Sequence, residues 1–185
     1  MQAIQLTPMK RTSLAEHPCS IARTLDVAGE WWSPLILRDV AYGVRRFGEI
    51  QEDLGISANV LSDRLEGLVA EGLLETRLYQ SRPERHEYRL TEKGADLVPA
   101  LLALMRWGDR WKWPGGRGPV QVVHEDCGHE IAVQVRCEHC ERELEPAELR
   151  ARLSGVGVGS IEPGDPGYVT GRRLALSDGG VGLEG

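Results

Sequence analysis

The stretch Phe47-Gly48-Glu49-Ile50-Gln51-Glu52-Asp53-Leu54-Gly55-Ile56-Ser57-Ala58-Asn59-Val60-Leu61-Ser62-Asp63-Arg64-Leu65-Glu66-Gly67-Leu68-Val69 decides the fold. Its first run, about 47–54, reads as a short helix that Gly55 breaks. Ser57 then suits an N-cap, because its hydroxyl accepts a hydrogen bond from an orphan N–H of a first helical turn. Val60, Leu61, Leu65, Leu68 and Val69 recur at helical spacing and face inward. Ala58, Asn59, Ser62, Asp63, Arg64 and Glu66 form the polar side, and Gly72 stops the helix. Residues 73–79 alternate in part, with Leu74, Thr76 and Leu78 against Glu75 and Arg77. Residues 87–90 return through Tyr88 and Leu90. Residues 81–85 between them hold Pro83, which lacks the N–H a central strand needs. Two helices across a tight turn, followed by a hairpin, make a winged helix-turn-helix, a module used mostly to read duplex DNA.

Upstream, Pro18 opens a helical run in which Ile21, Leu25 and Ala28 repeat, and Gly29 ends it. Pro34 fits the start of a second helix, whose Leu35, Ile36, Leu37, Val40 and Ala41 make a core stripe. Downstream, Thr91 caps a long helix, with Glu92 in its first turn and Pro99 expected to kink its interior. Trp113-Pro114-Gly115-Gly116 ends that unit. The runs 120–124 and 131–135 are strand-like, and 143–153 suits a short helix. The expected class is α+β, mainly helical: a winged helix with a two-stranded wing, then a small β zinc-ribbon-like segment. The domains are a flexible arm at 1–17, the winged-helix domain at 18–114, the ribbon-like segment at 119–153 and a flexible tail at 154–185. The tail holds 10 Gly, with little to bury against its ordering entropy. No internal repeat is found.

The apolar fraction of 41% is that of an ordinary globular chain. No apolar run approaches the roughly 20 residues of a membrane span, so no membrane partner is expected. Residues 1–17 show no signal peptide, and a reducing cytoplasm is the expected compartment. The net charge of −6 argues against nucleic acid until the chain is divided. Residues 1–113 carry 15 Lys+Arg and 16 Asp+Glu, a net of −1; residues 114–185 carry 7 and 12, a net of −5. The acidity lies in the C-terminal part, and the hairpin is locally basic through Arg77, Arg82, Arg85 and Arg89.

For double-stranded DNA, the helix opened by Ser57 would lie in the major groove. Ser57, Asn59, Ser62, Asp63 and Arg64 are its candidate base contacts, Asn suiting adenine and Arg suiting guanine. Arg45 and Arg46 are placed for phosphates, and Arg82 and Arg85 for the backbone or minor groove. Periodicity alone leaves a protein partner equally open.

Residues 19–111 resemble the HxlR-type winged-helix transcriptional regulators, relatives of the MarR group. The marks are Cys19-Ser20-Ile21, Gly29-Glu30-Trp31, Leu35-Ile36-Leu37-Arg38, Arg46-Phe47-Gly48-Glu49, Ile56-Ser57, Leu61-Ser62-Asp63-Arg64-Leu65, Leu68, Gly72-Leu73, Arg85, Glu87-Tyr88, Leu90-Thr91-Glu92-Lys93-Gly94 and Trp107-Gly108. The family often has Cys-Pro at Cys19-Ser20 and a Gly or Lys before Trp where Glu30-Trp31 stands; neither departure touches the reading helix. The resemblance implies a homodimeric DNA-binding regulator with one winged helix per subunit, and the leading expectation is a repressor on a two-fold operator. It implies a dimer interface on the helix from Thr91 together with the N-terminal helix, which Leu97, Leu101, Leu104, Trp107 and Trp111 suit; otherwise that stripe is intramolecular core. It also makes Cys19, at a helix N-terminus beside His17, a candidate sensor of an oxidant or small-molecule effector; otherwise Cys19 is a small buried hydrophobe.

His124-Glu125-Asp126-Cys127 and Cys137-Glu138-His139-Cys140 are separated by nine residues, and three of the four Cys fall within 14 positions. A two-residue gap lets one turn aim two side chains at one ion, so structural Zn²⁺ on His124, Cys127, Cys137 and Cys140 is expected. His129 and His139 are alternatives for the fourth ligand. Four protein ligands leave no open position, and no His-Glu-x-x-His pattern occurs, so no enzyme is expected. The competing reading is a winged-helix and ribbon module that binds protein in a transcription assembly.

Overall fold

The computed structural model describes residues 13–150. Residues 1–12 of the expected arm, residues 151–153 and the 154–185 tail lie outside the described residues. The chain divides into two compact units between Ala95 and Asp96.

The first unit runs α1 (Ser20–Ala28), α2 (Trp32–Ala41), α3 (Phe47–Leu54), α4 (Ala58–Ala70), β1 (Leu74–Ser81), β2 (Glu84–Leu90) and α5 (Glu92–Ala95). Each boundary has a local cause. Gly55 leaves α3 in the left-handed region at φ 61°, which its missing Cβ makes cheap. The Ser57 Oγ accepts from Val60 N at 3.4 Å and caps α4. Ser13 Oγ and Leu14 N both donate to the Asp26 carboxylate and hold residues 13–14 to α1.

The core lies where α2 meets α4, α3 and β2. Ile36, Leu37, Ile50, Leu61, Leu65, Leu68 and Leu74 are its fully buried side chains. Val60 and Val69, expected to face inward, sit half-buried at the margins of α4. Asp39 is buried with them. Its Oδ1 accepts from Arg38 Nε at 2.9 Å, its Oδ2 has no partner among the described residues, and burial pushes its carboxyl above the usual range.

The hairpin is longer than expected. β1 and β2 pair antiparallel from Leu74↔Leu90 out to Ser81↔Glu84, with a bulge between Leu78 and Gln80. Only Arg82 and Pro83 form the tip, joined by a cis peptide bond. Pro83 therefore sits outside the ladder, where its missing N–H costs no pairing. A third line of chain joins this sheet: Tyr88 N donates to Arg45 O at 2.8 Å, and Arg46 bridges Glu87.

The expected long helix is two helices. Thr91 Oγ1 accepts from Gly94 N at 3.1 Å and caps α5, which ends at Ala95. α6 restarts at Val98 (Val98–Lys112), with Pro99 in its first turn. Proline lacks the donor that would continue α5 and clashes with the carbonyl four residues back, so it begins a helix here instead of bending one. Gly94 is held by its surroundings. A Cβ there would run into the Leu73 carbonyl oxygen and approach Leu90 Cδ2 at 3.1 Å. Alanine's helix preference, about 1 kcal/mol, is smaller than an overpacking cost of roughly 1–3 kcal/mol against fixed backbone. Gly94→Ala is expected to lower the thermal midpoint, read by circular dichroism; an unchanged or higher midpoint would contradict this packing.

The second unit contains α6 and the Cys-bearing segment. No described residue of it is buried. Neither strand-like run forms a strand: among the described residues the segment has only the isolated bridges Val123↔Glu130 and Arg136↔Glu143. The helix expected at 143–153 is, among the described residues, a single 3-10 turn at Pro146–Glu148.

Candidate nucleic-acid interface

The expected reading residues separate by the side of α4 on which they stand. Leu61, Leu65 and Leu68 fix the inner face, which leaves Ala58, Asn59, Asp63 and Glu66 exposed. Ser57 is committed to its cap. Ser62 Oγ donates to Glu66 Oε1 at 3.1 Å, one turn on. Arg64 stands apart from this surface. Its guanidinium lies 3.6 Å from the Glu30 carboxylate, and its Nε is buried without a hydrogen bond. Its side chain lines a groove with Asp26, Glu30 and Ser33. Asn59 and Asp63 are thus the polar side chains presented together at the start of α4.

Arg46 joins the turn motif to the wing. Its backbone N donates to Glu49 Oε2 at 3.3 Å, which covers an orphan acceptor-seeking end of α3, and its guanidinium lies 4.5 Å from the centre of the Tyr79 ring. Arg45 is half-buried, its carbonyl used by Tyr88.

The four wing arginines are not equivalent. Arg89 donates to Glu87 at 2.7 Å, and this bond leads the causes that hold the Glu87 carboxyl below its usual range. Its charge is matched. Arg82 at the tip, with Arg77 and Arg85 on the strands, is exposed. This graded pattern is invisible in composition, because the sequence shows four arginines and not which of them Glu87 neutralises.

A model of the HxlR-like helix-turn-helix family matches residues 27–115. The uncharacterized HTH-type transcriptional regulators Mb3122 of Mycobacterium bovis and Rv3095 of Mycobacterium tuberculosis are each 45% identical over 125 residues, 68% of this chain and 79% of theirs. The chain belongs to the HxlR-like family. Membership supports a DNA-binding regulator, and the α3–turn–α4 geometry is the part of the chain that would read. The crystal structure of PA1607, a candidate transcription factor, is 38% identical, covers 76% of this chain and 98% of its own, and superposes with a TM-score of 0.69. PA1374 of Pseudomonas aeruginosa, described in the same terms, is 36% identical over 76% of this chain and 95% of its own, with a TM-score of 0.55. Among the described residues no helix is long and apolar enough to cross a membrane.

Cys19 is half-buried at the N-cap of α1, and its backbone N donates to His17 Nδ1 at 3.1 Å. Of the dimer candidates, Leu97 and Leu101 are half-buried, while Leu104, Trp107 and Trp111 are 64%, 56% and 55% exposed. The metal candidates come together as pairs. His124 Nδ1 lies 3.3 Å from Cys127 Sγ, and the backbone N–H groups of Cys140 and His139 point at the Cys137 sulfur, which they hold below the usual thiol range. Among the described residues no three His, Cys, Asp or Glu side chains converge on one point.

Proposed function

We propose that this chain is a transcriptional repressor that binds a two-fold operator as a homodimer. The observation that supports it most is the stripe along α6 and its N-cap residue Leu97. Leu97, Leu101, Leu104, Gly108 and Trp111 recur at intervals of four, three, four and three, the spacing of a helix–helix seam. Three large apolar side chains on or beside that seam are more than half exposed. A second copy laid against it would cover them and give each dimer two reading helices and two wings. In each copy Asn59 and Asp63 would meet base edges, while Arg82, Arg85 and Arg77 would meet phosphates.

Cys19 would carry the signal in this reading. Oxidation or alkylation of a half-buried thiol at the start of α1 would disturb a helix that packs on α4. DNA selection with the purified full chain, with and without a peroxide, tests both parts. Enrichment of an inverted repeat with half-sites about one helical turn apart is expected. Peroxide is expected to weaken binding, and Cys19→Ser to abolish that response. No enriched sequence would remove the DNA reading. A response that survives Cys19→Ser would remove Cys19 alone.

A further inference from the structure

Residues 122–131 and 135–144 are two copies of one turn, thirteen positions apart. Val122-Val123-His124-Glu125-Asp126-Cys127-Gly128-His129-Glu130-Ile131 aligns with Val135-Arg136-Cys137-Glu138-His139-Cys140-Glu141-Arg142-Glu143-Leu144. Four positions are identical and the last differs only in branching, too little to mark a repeat by sequence. The backbone makes it plain. His124 N donates to His129 O at 2.9 Å, and Cys137 N to Arg142 O at 3.0 Å. Gly128 N donates to His124 O at 2.8 Å, and Glu141 N to Cys137 O at 2.9 Å. Ile131 N donates to Val122 O at 3.1 Å, and Leu144 N to Val135 O at 2.8 Å. The bridges Val123↔Glu130 and Arg136↔Glu143 repeat in the same register.

The seventh residue of each copy is left-handed, Gly128 at φ 70° and Glu141 at φ 57°. Glu141 is the one non-glycine residue with positive φ among the described residues. An L-residue pays on the order of 1 kcal/mol for that conformation, so the second copy keeps the turn against its own side chain. What the turn achieves is the same twice over: it brings the third and sixth side chains of the copy together. In the first copy these are His124 and Cys127, and in the second Cys137 and Cys140.

We propose that these two turns are the two halves of one structural zinc site, with His124, Cys127, Cys137 and Cys140 as its ligands. The donor set of three thiolates and one imidazole suits tetrahedral zinc. With Zn–S of about 2.3 Å and Zn–N of about 2.05 Å, the nitrogen–sulfur edge of the tetrahedron is about 3.6 Å. The His124–Cys127 pair at 3.3 Å stands close to that edge. Residues 132–134 alone join the copies, and three residues reach at most about 10 Å, so the halves cannot part far. They stand as separate pairs in the structure, and the ion is what closes them.

The repeat also selects the fourth ligand. His129 aligns with Arg142 and His139 with Asp126, positions the turn does not aim at its partner cysteine. His124 aligns with Cys137. The ion would serve where burial does not, since Val120, Val123, Ile131 and Val135 are all 41% exposed or more. A segment with so little core needs another source of order.

Zinc content and the spectrum of the cobalt-substituted full chain test this directly. One zinc per chain is expected, with three-thiolate charge transfer in the cobalt form. His124→Cys should keep the ion and raise that band by about one third, four thiolates replacing three. His129→Ala and His139→Ala should leave both readouts unchanged, and Cys140→Ser should lose the ion. Less than half an equivalent of zinc, a Cys137–Cys140 disulfide in the purified chain, or zinc lost on His129→Ala or His139→Ala would overturn the assignment. Operator binding is scored separately, so either result leaves the DNA reading standing or falling on its own test.

Discussion

Trp107→Glu combined with Trp111→Glu is expected to give a chain that sediments as a monomer and binds its operator two to four orders of magnitude more weakly. No described residue of α6 is buried. Leu102, Met105 and Asp109 line a groove with residues 116–122 and 130–133 of the same unit. Leu97, Leu101, Leu104 and Trp111 stand on a different side of the helix, because their row is offset from Leu102, Met105 and Asp109 by about one residue, roughly 100° around the axis. The Cys-bearing segment therefore accounts for one face of α6 and leaves the other. A tryptophan half withdrawn from water still leaves about 100 Å² to bury, on the order of 2 kcal/mol apiece. Glutamates at both positions would remove that gain and set like charges across a two-fold seam. The reading heads would remain folded, since the buried core of the first unit contains neither residue. Each would then bind one half-site without the effective concentration supplied by its tethered twin, a loss of roughly 10²–10⁴. Analytical ultracentrifugation and titration of the selected operator are the measurements. A variant that stays dimeric would remove α6 as the interface; a monomer with full affinity would remove the two-fold site.

The reading head was legible in the sequence because its signals are local. Gly55 and Ser57 bound α3 and α4 through a left-handed exit and a side-chain cap, both set within a few residues. The leucine spacing of α4 then chose the buried face. What the sequence did not show depended on which side chains meet in space. Arg64 has the right chemistry for guanine, but Glu30 lies 3.6 Å from it, and pairing across 34 positions leaves no periodic trace. Arg85 and Arg89 both stand two positions from Glu87, and it is Arg89 that bonds it at 2.7 Å. Pro99 carried a double meaning, as kink or as first turn, and the break at Ala95 decides for the second. The paired turns of the Cys segment are not legible in the sequence because the repeat lives in backbone hydrogen bonds, while histidine stands opposite cysteine at one paired position and glutamate opposite glycine at the left-handed one.

Arg82→Ala with Arg85→Ala is expected to flatten the salt dependence of operator binding by about three to four log units per decade of salt, counting two arginines on each of two copies at about 0.9 per phosphate. At about 0.15 M salt the same four contacts are worth on the order of a thousandfold in affinity. Both residues are exposed, one in the tip and one on the last ladder pairs of the wing, so neither contributes to the core. The thermal midpoint should stay where it is. Arg89→Ala is the internal comparison. It also removes one positive charge, but that charge is already bonded to Glu87 at 2.7 Å and partly withdrawn from solvent. Freeing Glu87 beside Arg45 and Arg77 leaves those cations to pair with it, so the slope should shift by less than one unit per copy. The two variants change formal charge in the same direction, and a mere net-charge effect would scale with the number of arginines removed. If Arg89→Ala flattens the slope as much per residue as the tip variant does, the wing acts through diffuse charge. If the tip variant leaves the slope unchanged, the wing does not touch phosphate, and the partner of this surface is a protein.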